Sequence, residues 1–155
     1  MQQLNAKTVS QSATQQIQIL MPEHINGYDR LFGGRLMEWI DVVAAVVARR
    51  HSGCNVTTAA VGHLEFKAPA YVNSTIVLKG QMTYVGRSSM EVRVDTFVEE
   101  LSGNHILINR AYLVLVALDE DDKPTMVPRL ILETEEEKSE WEAAKLRSQF
   151  YKQQK

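Results

Sequence analysis

Cysteine is nearly absent. Cys54 is the only one in 155 residues, so no disulfide can close within the chain, and a reducing cytoplasm is the expected compartment. No apolar run approaches the roughly 18 residues of a membrane span. The stretch from Met1 to Gln18 also lacks the apolar centre of a secretory signal. Charge of neither sign dominates, and a net charge of −2 provides no basic footprint for nucleic acid. His24, His51, His63 and His105 fall in no HExxH or paired ligand spacing, so no metal site is expected. What remains is ordinary for a globular protein, with 45% hydrophobic and 23% charged residues. The length fits one domain, which at this size needs neither disulfide nor metal to fold.

Residues 1–13 are rich in Gln, Ser and Thr and read as a frayed, flexible arm. Gln15 to Met21 alternates, Ile17 and Ile19 against Gln16, Gln18 and Leu20, which suits a first strand ended by Pro22. A loop with turn chemistry at Asn26, Gly27, Asp29, Gly33 and Gly34 follows. Arg35 to His51 is the longest helical candidate, with Leu36, Ile40, Val43 and Val47 on one stripe. Met37, Ala44 and Ala48 widen that stripe, so the helix should be mostly covered, and Gly53 should stop it.

Beyond it the period changes to two. Val56–Lys67, Thr75–Val85, Ser88–Glu99 and Ile106–Leu118 read as strands, the third most cleanly: Met90, Val92, Val94, Thr96 and Val98 against Glu91, Arg93, Asp95 and Glu99. The fourth is apolar on both faces and should lie inside the sheet. Gly86-Arg87 and Ser102-Gly103-Asn104 are short enough for antiparallel hairpins. Thr134-Glu135-Glu136-Glu137 is a capping box for a short C-terminal helix whose charge run reads as a solvated face. The expected division is therefore a folded domain over 14–132 and a C-terminal helix over 133–155. One antiparallel sheet wrapped around a covered long helix, an α+β fold, satisfies this order.

Asp41 breaks the pattern of that helix. On the wheel it neighbours Gly34, Met37, Ala44, Ala45 and Ala48, so a carboxylate lies among small and apolar residues. Two environments are open to it: an ion pair with Arg35, Arg49 or Arg50, or desolvation that would raise its pKa and favour a base near neutrality. Gly33-Gly34 at the helix start is the second feature. Free N–H groups there suit developing negative charge, although a plain tight turn would also explain the pair. Asp41 lies about 10 Å further along the axis, so the two would have to be bridged by a bent substrate or a partner subunit.

The run from His24-Ile25-Asn26-Gly27 through Phe32-Gly33-Gly34 to Trp39-Ile40-Asp41 resembles the signature of the hot-dog-fold acyl-CoA thioesterases. Within them it is most similar to the bacterial acyl-CoA hydrolases related to the cytosolic brain-type enzymes. Val56-Thr57-Thr58, Leu64-Glu65-Phe66-Lys67-Ala68-Pro69 and Val85-Gly86-Arg87-Ser88-Ser89-Met90 continue the likeness, over roughly 15–130. One departure stands out, Gly62-His63 where relatives often carry Asp; His63 is expected at the surface.

The resemblance implies a hot-dog fold and a site at a dimer interface, where Asn26 of one subunit meets Asp41 of the other. It also implies a trimer of such dimers. The reaction would be hydrolysis of acyl-CoA, with CoA as part of the substrate and no resident cofactor. Gly34 or Arg35 would polarise the thioester carbonyl through backbone N–H groups beside Gly33. Asp41 would activate water or attack directly, and Asn26 would position water or carbonyl. Thr58 is a further candidate at the substrate. Lys67 and Arg87 are candidate cations for the nucleotide half of CoA, with Gly86, Ser88 and Ser89 as turn contacts. Two other readings stay open: a non-catalytic acyl-CoA sensor, and a hydratase in which His24 would be the catalytic histidine.

Overall fold

The computed structural model describes residues 5–153. Five long strands form one antiparallel sheet: β2 (Thr14–Ile19), β3 (Asn55–Phe66), β4 (Thr75–Val85), β5 (Ser89–Glu99) and β6 (His105–Leu118), in the order β2-β4-β5-β6-β3. The long helix α2 (Gly33–Ser52) lies against one face, and α3 (Glu135–Gln153) packs outside. β6 sits between β5 and β3, as its two apolar faces require.

Nothing between Gly33 and Ser52 breaks the helix, and Gly53 ends it in the left-handed region at φ 70°, its N–H donating to the Arg49 carbonyl at 2.8 Å. Leu36, Ile40, Val43 and Val47 are at most 1% exposed, with Ala44 and Ala48 at 0%. The sheet's inner face meets them with Ile76, Leu78, Met82, Met90, Val92, Val94, Leu113 and Leu115. Gly80 sets the closeness of this contact. A Cβ there would lie 2.7 Å from Val43 Cγ1 and 3.0 Å from Val47 Cγ2.

Two expectations need correction. Residues 1–13 are not a frayed arm over their described part, the first four lying outside the described residues. β1 (Lys7–Thr8) pairs in parallel with β7 (Leu130–Ile131), and α1 (Val9–Ser12) buries Val9 and Ser12. Composition misled here because one buried valine and backbone pairing suffice to hold a short polar segment. Lys7 Nζ donates to the Arg50 carbonyl at 3.0 Å and Arg50 to the Ala13 carbonyl at 3.2 Å, tying this segment to the end of α2.

α3 is the second correction. It occupies 19 residues within the expected span, but its charges are not simply solvated. The polar face of β5 is buried beneath it, with Glu91, Arg93 and Asp95 at 6%, 9% and 6% exposure. Arg147 meets Glu91 at 2.7 Å, and Arg93 meets Glu136 and Glu140 at 3.4 Å. From β6, Arg110 binds Asp95 at 2.7 Å. These carboxylate hydrogen bonds hold the Arg110 and Arg147 pKa above the usual guanidinium range, while burial raises that of Tyr112. Trp141 packs on Tyr84 at 4.4 Å between ring centroids. The periodicity of β5 was legible, but a polar strand face can be covered when its charges find partners.

β2 alternates as expected, with Ile17 58% and Ile19 51% exposed on one face and Leu20, just past its end, fully buried on the other. The surface position expected for His63 lies outside the described side chains.

His51 pins the end of α2. Its ring is fully buried, and Nε2 donates to the Pro128 carbonyl at 2.8 Å. Burial lowers its pKa, the Pro128 contact opposing this and Lys7 and Arg129 adding to it. The folded state therefore holds neutral His51, and the unfolded chain binds the proton first as pH falls below about 6.5. Stability should be full above that pH and decline below it. Thermal melts at pH 7.5 and 5.5 should show a larger loss for the native chain than for His51→Gln. Gly80→Val should cost about 1–3 kcal/mol by overpacking, measured by denaturant unfolding.

Candidate active site

The loop between β2 and α2 is built around Asn26. Its Oδ1 accepts from the N–H of Tyr28 at 2.8 Å and of Arg30 at 3.2 Å. Its backbone N–H donates to the Arg30 carbonyl at 2.8 Å, and its carbonyl accepts from the Asp29 N–H at 3.2 Å. Backbone N–H groups can only donate, so they fix the amide's orientation. The Nδ2 group has no partner among the described residues, and Asn26 is exposed. What the loop offers outward is a hydrogen-bond donor. A cavity of about 330 Å³ opens beside it, lined among others by Arg30, Leu36, Phe66 and Lys67.

His24 is committed elsewhere. Its Nδ1 accepts from the Met21 N–H at 2.9 Å, Nε2 lies 3.6 Å from Glu23, and the ring stands edge-on to Trp39 at 5.0 Å. Those contacts give it a structural task and weigh against the hydratase reading.

α2 begins at Gly33, after the cap residue Phe32, and the first intrahelical bond runs from the Leu36 N–H to the Phe32 carbonyl at 3.1 Å. The N–H groups of Gly33, Gly34 and Arg35 have no acceptor among the described residues. Two phenyl rings flank them: a Cβ on Gly34 would fall 2.7 Å from Phe32 Cε1, and one on Gly33 3.8 Å from Phe66 Cζ. Both rings are just over half exposed. Three N–H donors at the positive end of a 20-residue helix thus sit between apolar rings, a setting that strengthens their hold on an oxyanion.

Asp41 takes neither of the environments weighed for it. It is exposed, and among the described residues no arginine pairs with it; Arg35 bridges Glu38 at 3.2 Å instead. Its Oδ1 accepts from Thr58 Oγ1 at 2.7 Å. Oδ2 has no partner among the described residues. A hydroxyl on β3 therefore orients a carboxylate on α2 and leaves one oxygen available.

Within one chain these parts do not all converge. The cavity beside Asn26 includes neither Asp41 nor Thr58. Lys67 lines it and lies 3.3 Å from Glu65. Arg30, a second cation there, went unnoticed although it stands inside the recognised motif. The turn Gly86–Ser89 stands apart. The Gly86 N–H donates to the Ser89 carbonyl at 2.9 Å, the Ser88 carbonyl accepts from the Ala117 N–H at 3.0 Å, and Arg87 is exposed. Arg129 was also missed: its guanidinium donates to the carbonyls of Gly86 and Val127 at 2.7 and 2.8 Å. No local motif could have announced that contact across 43 residues. Ser89 lines a different cavity, of about 430 Å³, beneath α3.

Residues 28–102 match the Thioesterase superfamily. The uncharacterized acyl-CoA thioester hydrolase YkhA of Bacillus subtilis is 40% identical over 119 residues, covering 76% of this chain and 69% of that protein. The rat cytosolic acyl coenzyme A thioester hydrolase is 33% identical over 89% of this chain, which spans 37% of its length. Among solved structures, an apo-hexameric acyl-CoA thioesterase superposes with TM-score 0.93 at 35% identity, covering 97% of each chain. Acyl-CoA hydrolase of Staphylococcus aureus, in complex with butyryl coenzyme A, coenzyme A and coenzyme A disulfide, superposes with TM-score 0.91 at 32% identity, covering 96% of this chain and 92% of that one. Structures of that hydrolase also exist with alanine replacing an Asp, an Asn or a Thr. By sequence and by shape the chain belongs to the acyl-CoA thioester hydrolases of the Thioesterase superfamily, with the hot-dog fold.

Proposed function

We propose that this chain hydrolyses acyl-CoA thioesters at a site shared between two copies, with Asp41 as the reacting carboxylate. The observation that carries the reading is the Thr58–Asp41 hydrogen bond, which leaves Oδ2 free. The three residues replaced in the Staphylococcus aureus hydrolase are Asn, Asp and Thr, separated by 15 and then 17 positions. Asn26, Asp41 and Thr58 have the same types and the same separations, which supports the assignment.

The thioester carbonyl oxygen takes the N–H groups of the partner's Gly34 and Arg35, and the partner's Asn26 adds its Nδ2 donor. Oδ2 of Asp41 draws a proton from water as the water oxygen attacks the carbonyl carbon. The tetrahedral intermediate collapses with loss of the C–S bond, and the proton passes to the departing thiolate of CoA. In the alternative route the same oxygen attacks directly, the C–S bond breaks with loss of CoA thiolate, and water cleaves the mixed anhydride to the carboxylic acid and free Asp41, its released proton going to the thiolate. The chain's own groups supply these steps without a resident cofactor, CoA entering and leaving as part of the substrate. Lys67 and Arg30 at the Asn26 cavity, and Arg87 on its turn, are the cations we assign to the phosphates of CoA.

Two copies are needed because Asn26 and Asp41 do not share a cavity in one. β3 is an open sheet edge, and Val42 on α2 and Phe66 on β3 are each 55% exposed beside it. Hexameric relatives support three such dimers per particle. No helix among the described residues is long and apolar enough to cross a membrane. With Cys54 as the only cysteine, we place the enzyme in the cytoplasm.

Free-thiol release from a panel of acyl-CoAs tests the proposal. Asp41→Ala should lower kcat by about 10²–10⁴, and Asn26→Ala by about 10²–10³ if its donor stabilises the oxyanion. Thr58→Ala should cost about tenfold, the worth of one hydrogen bond to a charged group. Full activity in Asp41→Ala would overturn the mechanism. Tight acyl-CoA binding without turnover at any chain length would favour the sensor.

A further inference from the structure

We infer that the last two turns of α3 form the outer half of the dimer interface, so that a second copy of this chain covers Leu146 and Phe150. The inference rests on the two-copy reading above and names a surface that reading does not include.

The path of α3 carries it. The helix starts over the middle of the sheet, where Glu136 reaches Arg93 on β5 and Glu140 lies 3.2 Å from the Tyr112 hydroxyl on β6. Trp141 then packs on Tyr84 and Arg147 binds Glu91. By Tyr151 it has reached β3, the open edge: a Cβ on Gly62 would collide with the Tyr151 hydroxyl. Gly62 is the residue at the departure from the family pattern, and it sits in a register shift between Val61 and His63. The missing side chain there lets the helix end lie on the edge strand.

At that point the helix stops being amphipathic in the usual sense. Leu146 is 68% and Phe150 58% exposed, at the i, i+4 spacing that places them on one face. Together with Gly62 and Tyr151 they line an open cavity of about 660 Å³ at the edge of the sheet, whose far side carries Arg110 and Arg147. A surface helix with its buried side already satisfied has no reason within the chain to present such a face.

A second copy is the occupant that fits. Pairing β3 with its twin about a two-fold axis brings each α3 end over the partner's edge on the outer side. On the inner side, Val42 and Phe66 do the same. The strand edge alone does not suffice. Twelve residues make an edge roughly 40 Å long and about 5 Å deep, on the order of 200 Å² per partner. A stable interface takes about 800 Å² from each side. Leu146, Phe150 and Tyr151 supply apolar area on the side that α2 cannot reach.

The test is the assembly of the full chain, followed by sedimentation velocity over a dilution series. Leu146→Asp/Phe150→Asp should raise the dimer dissociation constant at least tenfold. Leu101→Asp, the same leucine-to-aspartate change at a fully exposed hairpin tip, should leave it unchanged. Hydrogen exchange on the unaltered chain provides a second reading, independent of any folding defect. Residues 146–153 should lose protection together with 55–66 when the assembly is diluted apart. An unchanged dissociation constant, a double variant that stops at intact dimers, or exchange at 146–153 indifferent to dilution would each overturn the inference. Because these readouts are of mass and protection, they stand apart from whether the chain hydrolyses acyl-CoA.

Discussion

The seating of α2 against the inner face of the sheet is the constraint from which the other features follow. Val43 and Val47 approach β4 at Gly80 more closely than any side chain there would permit, and the stripe from Leu36 to Val47 leaves no room for the helix to rotate. Rotation is what would matter. Asp41 is one residue from Ile40, which is wholly buried, so the core contact fixes the carboxylate at the margin of the helix. Thr58 on β3 can reach it only from that setting. The hydrogen bond to Asp41 is therefore a consequence of apolar packing several ångströms away, α2 supplying the carboxylate and β3 the hydroxyl.

The outer face of the sheet is solved by different means. Glu91, Arg93 and Asp95 are among the least exposed charged groups in the chain, and each finds an opposite charge on β6 or α3. Such pairs add little net stability against an apolar alternative, but they are demanding about partners. They set where α3 lies and how far along the sheet it runs. A purely greasy contact would hold the helix with less definition of its register.

Much of this could be read from the chain alone, and the exceptions have a common cause. The long helix declared itself through Leu36, Ile40, Val43 and Val47, and the four long strands through alternation. These signals are local and repeat over many residues. Asp41 and the glycine pair stood out from the residues themselves, as a carboxylate on an apolar stripe and a Cβ-free helix start, whereas Asn26 was legible because a family likeness named it. What escaped notice depends on contacts between distant segments. Polar residues 7–12 looked free because nothing nearby in sequence shows Lys7 meeting Leu130 or Arg50. The α3 charges looked solvated because their partners stand 28 to 56 residues away. Arg129, three carbonyls gathered around its guanidinium, belongs to the same class.

The locked amide of Asn26 has a bearing on how such a site could arise. Because its oxygen is spent on the Tyr28 and Arg30 N–H groups, the loop is rigid before any partner comes near. Asp41 is likewise aimed by Thr58 within its own chain. On the proposed reading of a site shared between two copies, each copy carries two finished halves that belong to different sites. Association then has only to bring rigid pieces into register, with no side chain left to be ordered at the moment of meeting. The entropy of arranging the reacting groups is spent during folding, once per chain, and not again at each encounter.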